Sequence, residues 1–566
     1  VKIPTDLTER ENFYQEVIKK CTSSQQDRGN QYADLRNYYL FGGAEGIGGS
    51  PFNKIYPHID LLTSFLYASE TTKFSVHLGA TAKEAEFGRV PKLAQAVNDM
   101  WLDSNADRVV SEAITWALVD NTRIVKLLPK VNRTTKKLDG IYPYSVHPAN
   151  FGVYREDVAM LDRQEAMCES YYTTKTQLEI DLANHPQKEA ILKSVATSSS
   201  RELEDDNQGG IGRLMASTQQ PLVDGTTAVG NVDFYFNSNI NYVPDLDQHE
   251  LITMDELWVW DTDKSDYRMV TRIRNGMTVY DRIASEHHIF LAGEHPYIQF
   301  CPRPLPFYFW GMSEVAGLAN LQEWYNERIM QIRKLLNLQV KPPTDASGFG
   351  STADEKMYAL FSEGGLFSDG GMGVQTGKLQ RHPPELPNDL FTVLREIDQA
   401  FSDHSGLPNT VQGKGEIGVR SGKQTSELAR LGSARIKKRA LIIEDSLEKM
   451  ATLYLKLKKK YDPDVYLDES GASFTASQFT DDFTVKVDAH SNSPIFVEDK
   501  KELAFSMLEN KMITRERAVE MIDPVDKEII KRELKSIEAQ EAAQAKAEQE
   551  AVAKGKAAKG TGKAGE

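Results

Sequence analysis

Between Lys423 and Tyr461 the chain runs without a proline, with apolar residues at helical spacing, until Asp462-Pro463 stops it. A continuous helix over that stretch is a rod roughly 58 Å long at 1.5 Å per residue. Gly432 and Ser433, near its start, are candidate kink positions. The 566 residues around it suffice for several domains, because one core rarely grows past roughly 250–300 residues. A composition of 40% hydrophobic and 26% charged residues is globular.

The lead-in to the rod is dense in glycine. Gly413, Gly415 and Gly418 spell G-x-G-x-x-G, and Gly422-Lys423 follows. A dinucleotide fingerprint needs a hydrophobic strand just before it, and here "SDHSGLPNTVQ" is polar and broken by proline. A P-loop needs Gly five positions before Gly422 and Ser or Thr after Lys423; Ile417 and Gln424 stand there. The stretch reads as a pliant connector. Other motifs fail similarly. "HELIT" has Thr253 where a zinc motif needs its second histidine. "DTDKSDY" has Asp266 and Arg272 where a calcium loop needs Gly and Glu, so a hairpin turn is the better reading. His287-His288 are strand neighbours that point to opposite faces. Cys21, Cys168 and Cys301 are odd in number and far apart, which predicts reduced thiols in an intracellular setting. The expectation is a non-enzyme with no catalytic residue, metal or cofactor.

Residues 7–40 read as helical, 41–52 as a Gly-rich loop, and 53–70 and 91–120 as amphipathic helices. From 122 to 300 strands dominate ("TRIVKLLPKV", "IYPYSVHPANFGVY", "VDFYFN"), with Asn275-Gly276 marking a hairpin inside 256–283. Residues 196–228 form a polar insertion. A helix then opens at Ser313-Glu314 and stops before Pro342-Pro343, with Val315, Leu318, Leu321, Tyr325, Ile329, Ile332 and Leu336 as its apolar stripe. A Gly-rich strand-and-turn module occupies 344–383, and a second helix lies within 386–408. A strand at 483–491, two further helices and an Ala/Lys/Gly-rich tail after 538 complete the chain. The first residues lack a signal-peptide pattern, and no apolar run approaches the ~20 residues of a membrane span, which predicts a soluble protein with no membrane partner. The net charge of −15 argues against gripping DNA through a general basic surface, though not against a surface that DNA slides past.

The order of these parts resembles the portal proteins of tailed bacteriophages. The resemblance runs from about residue 55 to 535 and is carried by "LPFYFWGMSEVAGLANLQEWYNERI", "SDHSGLPNTVQGKGEIGVRSGKQTSELARL" and "DKKELAFSMLENKMITRERAVEMIDP". It implies an α+β portal fold. Residues 1–312 would be the wing, 313–340 the first stem helix, 341–385 the clip and 386–406 the second stem helix. The tunnel loop would be 407–422, the long kinked helix and wing return 423–496, and the crown with its tail 497–566. Leu318, Leu321, Tyr325, Ile329 and Ile332 would pack the stem. Gly413, Lys414, Gly415, Glu416, Gly418, Arg420 and Lys423 would belong to the loop that meets DNA.

The implied assembly is a ring, usually of twelve copies, at one capsid vertex of the virion, built in the host cytoplasm. Double-stranded DNA would pass through it, driven by the large subunit of a separate terminase. Head-completion or adaptor proteins and the major capsid and scaffolding proteins would be its other partners. The alternatives are another head–tail connector or adaptor, or a nucleotide-dependent DNA-processing enzyme. For the basic run "RIKKR" two readings stand: a solvated helical face, or a channel-facing or subunit-bridging cluster of Arg435, Lys438 and Arg439, in which Arg435 and Arg439 share a face.

Overall fold

Asp6 begins the first helix by capping it: its carboxylate accepts from the backbone N–H of Thr8 and Glu9 at 3.0 and 3.1 Å. That helix, α1 (Leu7–Thr22), is followed directly by α2 (Gln25–Phe41), so the 7–40 helical reading resolves into two helices. Gly42 ends α2 in the left-handed conformation at φ 70°, donating to the Tyr38 carbonyl. The structure is a computed structural model. It describes residues 2–43, 52–67, 72–79, 88–131, 138–183, 185–195, 251–274, 276–284, 291–340, 344–347, 366–367, 378–381, 389–405, 434–461, 464–467, 473–479 and 483–488, with short pieces between 504 and 537. The insertion at 196–228, "VDFYFN", His287-His288 and Gly432-Ser433 lie outside the described residues.

The architecture is mixed α+β. A five-stranded antiparallel sheet runs in the order β4 (Phe151–Val153), β5 (Ala166–Thr174), β6 (Leu251–Asp261), β7 (Asp266–Ile273), β8 (Thr278–Ile283). "DTDKSDY" is the β6–β7 turn, with Asp261 opposite Asp266. The β7–β8 hairpin turns over the segment that holds Gly276, as the Asn-Gly signal predicts. A second antiparallel sheet has the order β3 (Leu138–Val146), β2 (Arg123–Val131), β9 (Tyr297–Phe300).

The period-2 pattern explains how the larger sheet is buried on both faces. Ala166, Cys168, Leu257, Val259 and Val270 pack with Tyr14, Val17, Ile18 and Cys21 of α1. Their odd-for-even neighbours Met167, Trp258 and Met269 join Ile124, Tyr297 and Phe309 in a core with the second sheet. Gly152 of β4 lies so close to α1 that a Cβ there would stand 2.1 Å from the Cys21 carbonyl oxygen.

Helices α3 (Ile55–Leu66), α4 (Val90–Asp103) and α5 (Ala106–Asp120) form a layer in which α5 touches α2, α3, α4, β2 and β3. α5 ends on Asp120, which is fully buried and ion-paired to Arg36 at 2.9 Å and Arg123 at 3.4 Å. β1 (Lys73–Leu78) finds its partner at the far end of the chain, in β15 (Phe483–Asp488). In between come α7 (Glu314–Val340), a three-stranded sheet of β11 (Leu366–Phe367), β10 (Thr344–Ser347) and β12 (Lys378–Arg381), α8 (Asp389–Ser405) and α9 (Ala434–Tyr461). α6 (Lys175–Asp181) and the pair β13 (Val465–Leu467) with β14 (Ser473–Thr475) complete the elements.

The chain divides into two compact units, Val1–Ser69 with Lys73–Val487, and Glu70–Thr72 with Asp488–Glu566. Within the second, residues 504–509 are helical and Ala504 is buried.

Candidate functional site

Ser313 sets the start of α7. Its hydroxyl accepts from the Ala316 N–H at 3.2 Å and donates to the Val119 carbonyl at 2.6 Å, capping the helix and fixing it to the end of α5. Gly317, one turn in, lies directly against the imidazole of His404, one residue from the end of α8, so the two helices run antiparallel. Leu318, Tyr325 and Ile332 of the expected stripe are buried, as are Ile397 and Phe401 of α8. Leu321 and Ile329 are half-buried at its margin, and Leu336 is exposed.

Gln322 sits within this stripe with no exposure at all. Its side chain accepts from the Lys54 N–H at 2.9 Å and donates to the Phe52 carbonyl at 3.1 Å and to Asn326 at 2.7 Å, tying the hairpin to the start of α3. An apolar-period search passes over such a residue, because two of its three partners are backbone groups of a segment roughly 270 positions away. Trp324, 62% exposed, Met330 and Phe391 leave apolar surface open on the hairpin.

At the base of the hairpin, a buried carboxylate ties α7 to α9. Glu314 has no exposure and is ion-paired to Arg303 at 2.9 Å and to Arg439 of α9 at 3.3 Å. The charge of Arg439 is thus directed inward, and the Arg435 side chain that the sequence places on the same face lies outside the described residues. Lys437 and Lys438 are exposed. His58 of α3 is buried in the same cluster. Burial, with Arg439 and His404 beside it, pushes the His58 pKa down to about 4 although Glu314 opposes the shift. Gly413, Lys414, Gly415, Glu416, Gly418, Arg420 and Lys423 lie outside the described residues.

An open cleft of about 800 Å³ runs along α9 from Lys438 to Lys456, with Met160, Tyr308 and Leu441 among its walls. Inside it Asp162 lies 3.6 Å from the His295 Nε2 and 3.0 Å from the Lys449 Nζ. A hydrogen bond from His295 lowers the Asp162 pKa, burial opposes, and Lys449 adds to the lowering, so the carboxyl stays well below its usual range and is an anion. The Ser446 hydroxyl donates to the Gln299 carbonyl at 2.8 Å. Burial pushes the Cys301 thiol up. The cleft therefore presents ion pairs and apolar surface, and neither Ser446 nor Cys301 is an activated nucleophile. Among the described residues no group of three or more His, Cys, Asp or Glu side chains is placed to hold a metal, and no helix is long and apolar enough to cross a membrane. No protein-family model matches the chain, and no curated protein matches it in sequence.

Proposed function

We propose that this chain is the subunit of a portal-type ring that conducts double-stranded DNA through one vertex of a phage capsid. One observation carries the reading: the succession of α7, a small three-stranded module, the antiparallel return helix α8 and the long α9, whose second turn docks at the hairpin base through Arg439. The portal resemblance implies that order for stem, clip, stem and long helix. In this reading residues 407–422 project into the channel, and glycine there lets the loop deform at little steric cost. The acidic balance suits a conduit, because a wall that repels phosphate does not trap the passing duplex. A terminase supplies the energy, adaptor proteins dock on the ring, and the ring resides at the vertex of the virion.

Negative-stain imaging of the purified protein tests the proposal. Channelled rings of about a dozen copies, the number that the portal resemblance implies, are expected. Monomers or open filaments at every concentration would overturn it.

A further inference from the structure

The cluster at the hairpin base draws its side chains from four helices. α7 contributes Glu314, α9 contributes Arg439, α8 contributes His404 and α3 contributes His58; Arg303 approaches from the segment before α7. The Glu314 carboxylate is fully buried, and one of its oxygens, Oε1, has no hydrogen-bond partner. The His58 Nε2 is likewise buried and without one. The charged and titratable groups acting on His58 are Glu314, Arg439 and His404; α2 and α5, which also pack on α3, add none among the described residues.

We propose that Glu314, Arg439, His58 and His404 form a proton-sensitive clasp that holds the last turn of α8 and the first turns of α9 on the base of the hairpin at neutral pH and releases them in acid. With the His58 imidazole neutral, one carboxylate faces two guanidinium groups. A proton on His58 adds a third positive charge beside that single carboxylate, where water cannot screen it. The repulsion falls on Arg439 and His404, the side chains that anchor α9 and α8, while Gly317 offers His404 a bare backbone it can leave without dragging a side chain. The device couples the position of the hairpin to the start of the long helix, whatever passes through the assembly.

Hydrogen exchange of the full chain between pH 7 and 4.5, corrected for intrinsic rates, reads the clasp directly. Peptides over 397–405 and 436–446 are expected to lose about tenfold more protection than 254–273 in the large sheet as the pH falls, since the sheet reports only the global loss of stability. His58→Leu suits the site because Nε2 has no partner, and it is expected to abolish most of that loss. Glu314→Gln is expected to show the released pattern already at pH 7. The clasp is refuted if His58→Leu follows the wild-type pH profile, or if the sheet peptides open in step with the helix ends. If Glu314→Gln does not fold, the His58→Leu profile alone decides.

Discussion

Lys126 is the residue the strand pattern hides best. It sits on β2 two positions from Ile124 and shares its face, so it enters the space between the two sheets. There its ammonium lies 2.7 Å from Glu169 and 2.8 Å from Glu256, and Tyr144 and Tyr297 donate to the same carboxylates. Burial works against the Lys126 charge, but Glu169 and Glu256 outweigh it and hold its pKa well above the ordinary lysine value. Lys126→Met leaves two carboxylates buried without their cation, and a loss of about 3–5 kcal/mol in urea titration is expected. A variant as stable as the parent would show that the network is dispensable. Nothing in "TRIVKLLPKV" marks this lysine as interior, since its partners lie on β5 and β6, forty and more positions downstream.

At the scale of elements, periodicity and punctuation were informative. The helix between Ser313 and Pro342 and the two β-hairpin turns stand where proline, glycine and apolar spacing put them. The return helix falls inside its expected bounds. Depth within a stripe was not legible, because it depends on which partner helix covers each position. Leu318 is fully buried whereas Leu321 is only half-buried. Leu318→Asp should therefore lower the melting temperature distinctly more than Leu321→Asp, since only the first forces a carboxylate into a site without water. Equal effects would mean that the stripe is covered evenly. Between α1 and β4 the contact is backbone on backbone. Gly152→Ala must push Cys21 and the end of α1 off the sheet, at a cost of about 1–3 kcal/mol or more by calorimetry. Unchanged stability would mean that α1 shifts freely.

For the whole molecule, two buried imidazoles among the described residues shape the response to acid. Burial, aided by Arg36 and Arg123, holds the His147 pKa well below the ordinary value, and burial lowers that of His58 to about 4. Both are neutral when folded and take up protons more readily when unfolded. Their contribution is complete above about pH 6.5, the ordinary histidine value, and drains away as the pH drops toward the folded values. Scanning calorimetry should show the melting temperature of the full chain falling steadily from pH 7 to 4.5, and a flat profile would contradict the burial of these rings. Such linkages escape a linear reading because Arg36, Asp120 and His147 are far apart in sequence and meet only once the layers assemble. The pairing of β1 with β15 has a further consequence for biosynthesis. A ribosome has to deliver some four hundred more residues before the early strand meets its mate. Until then the nascent polypeptide carries an open edge, inviting promiscuous strand capture that chaperones or slow translation must hold off.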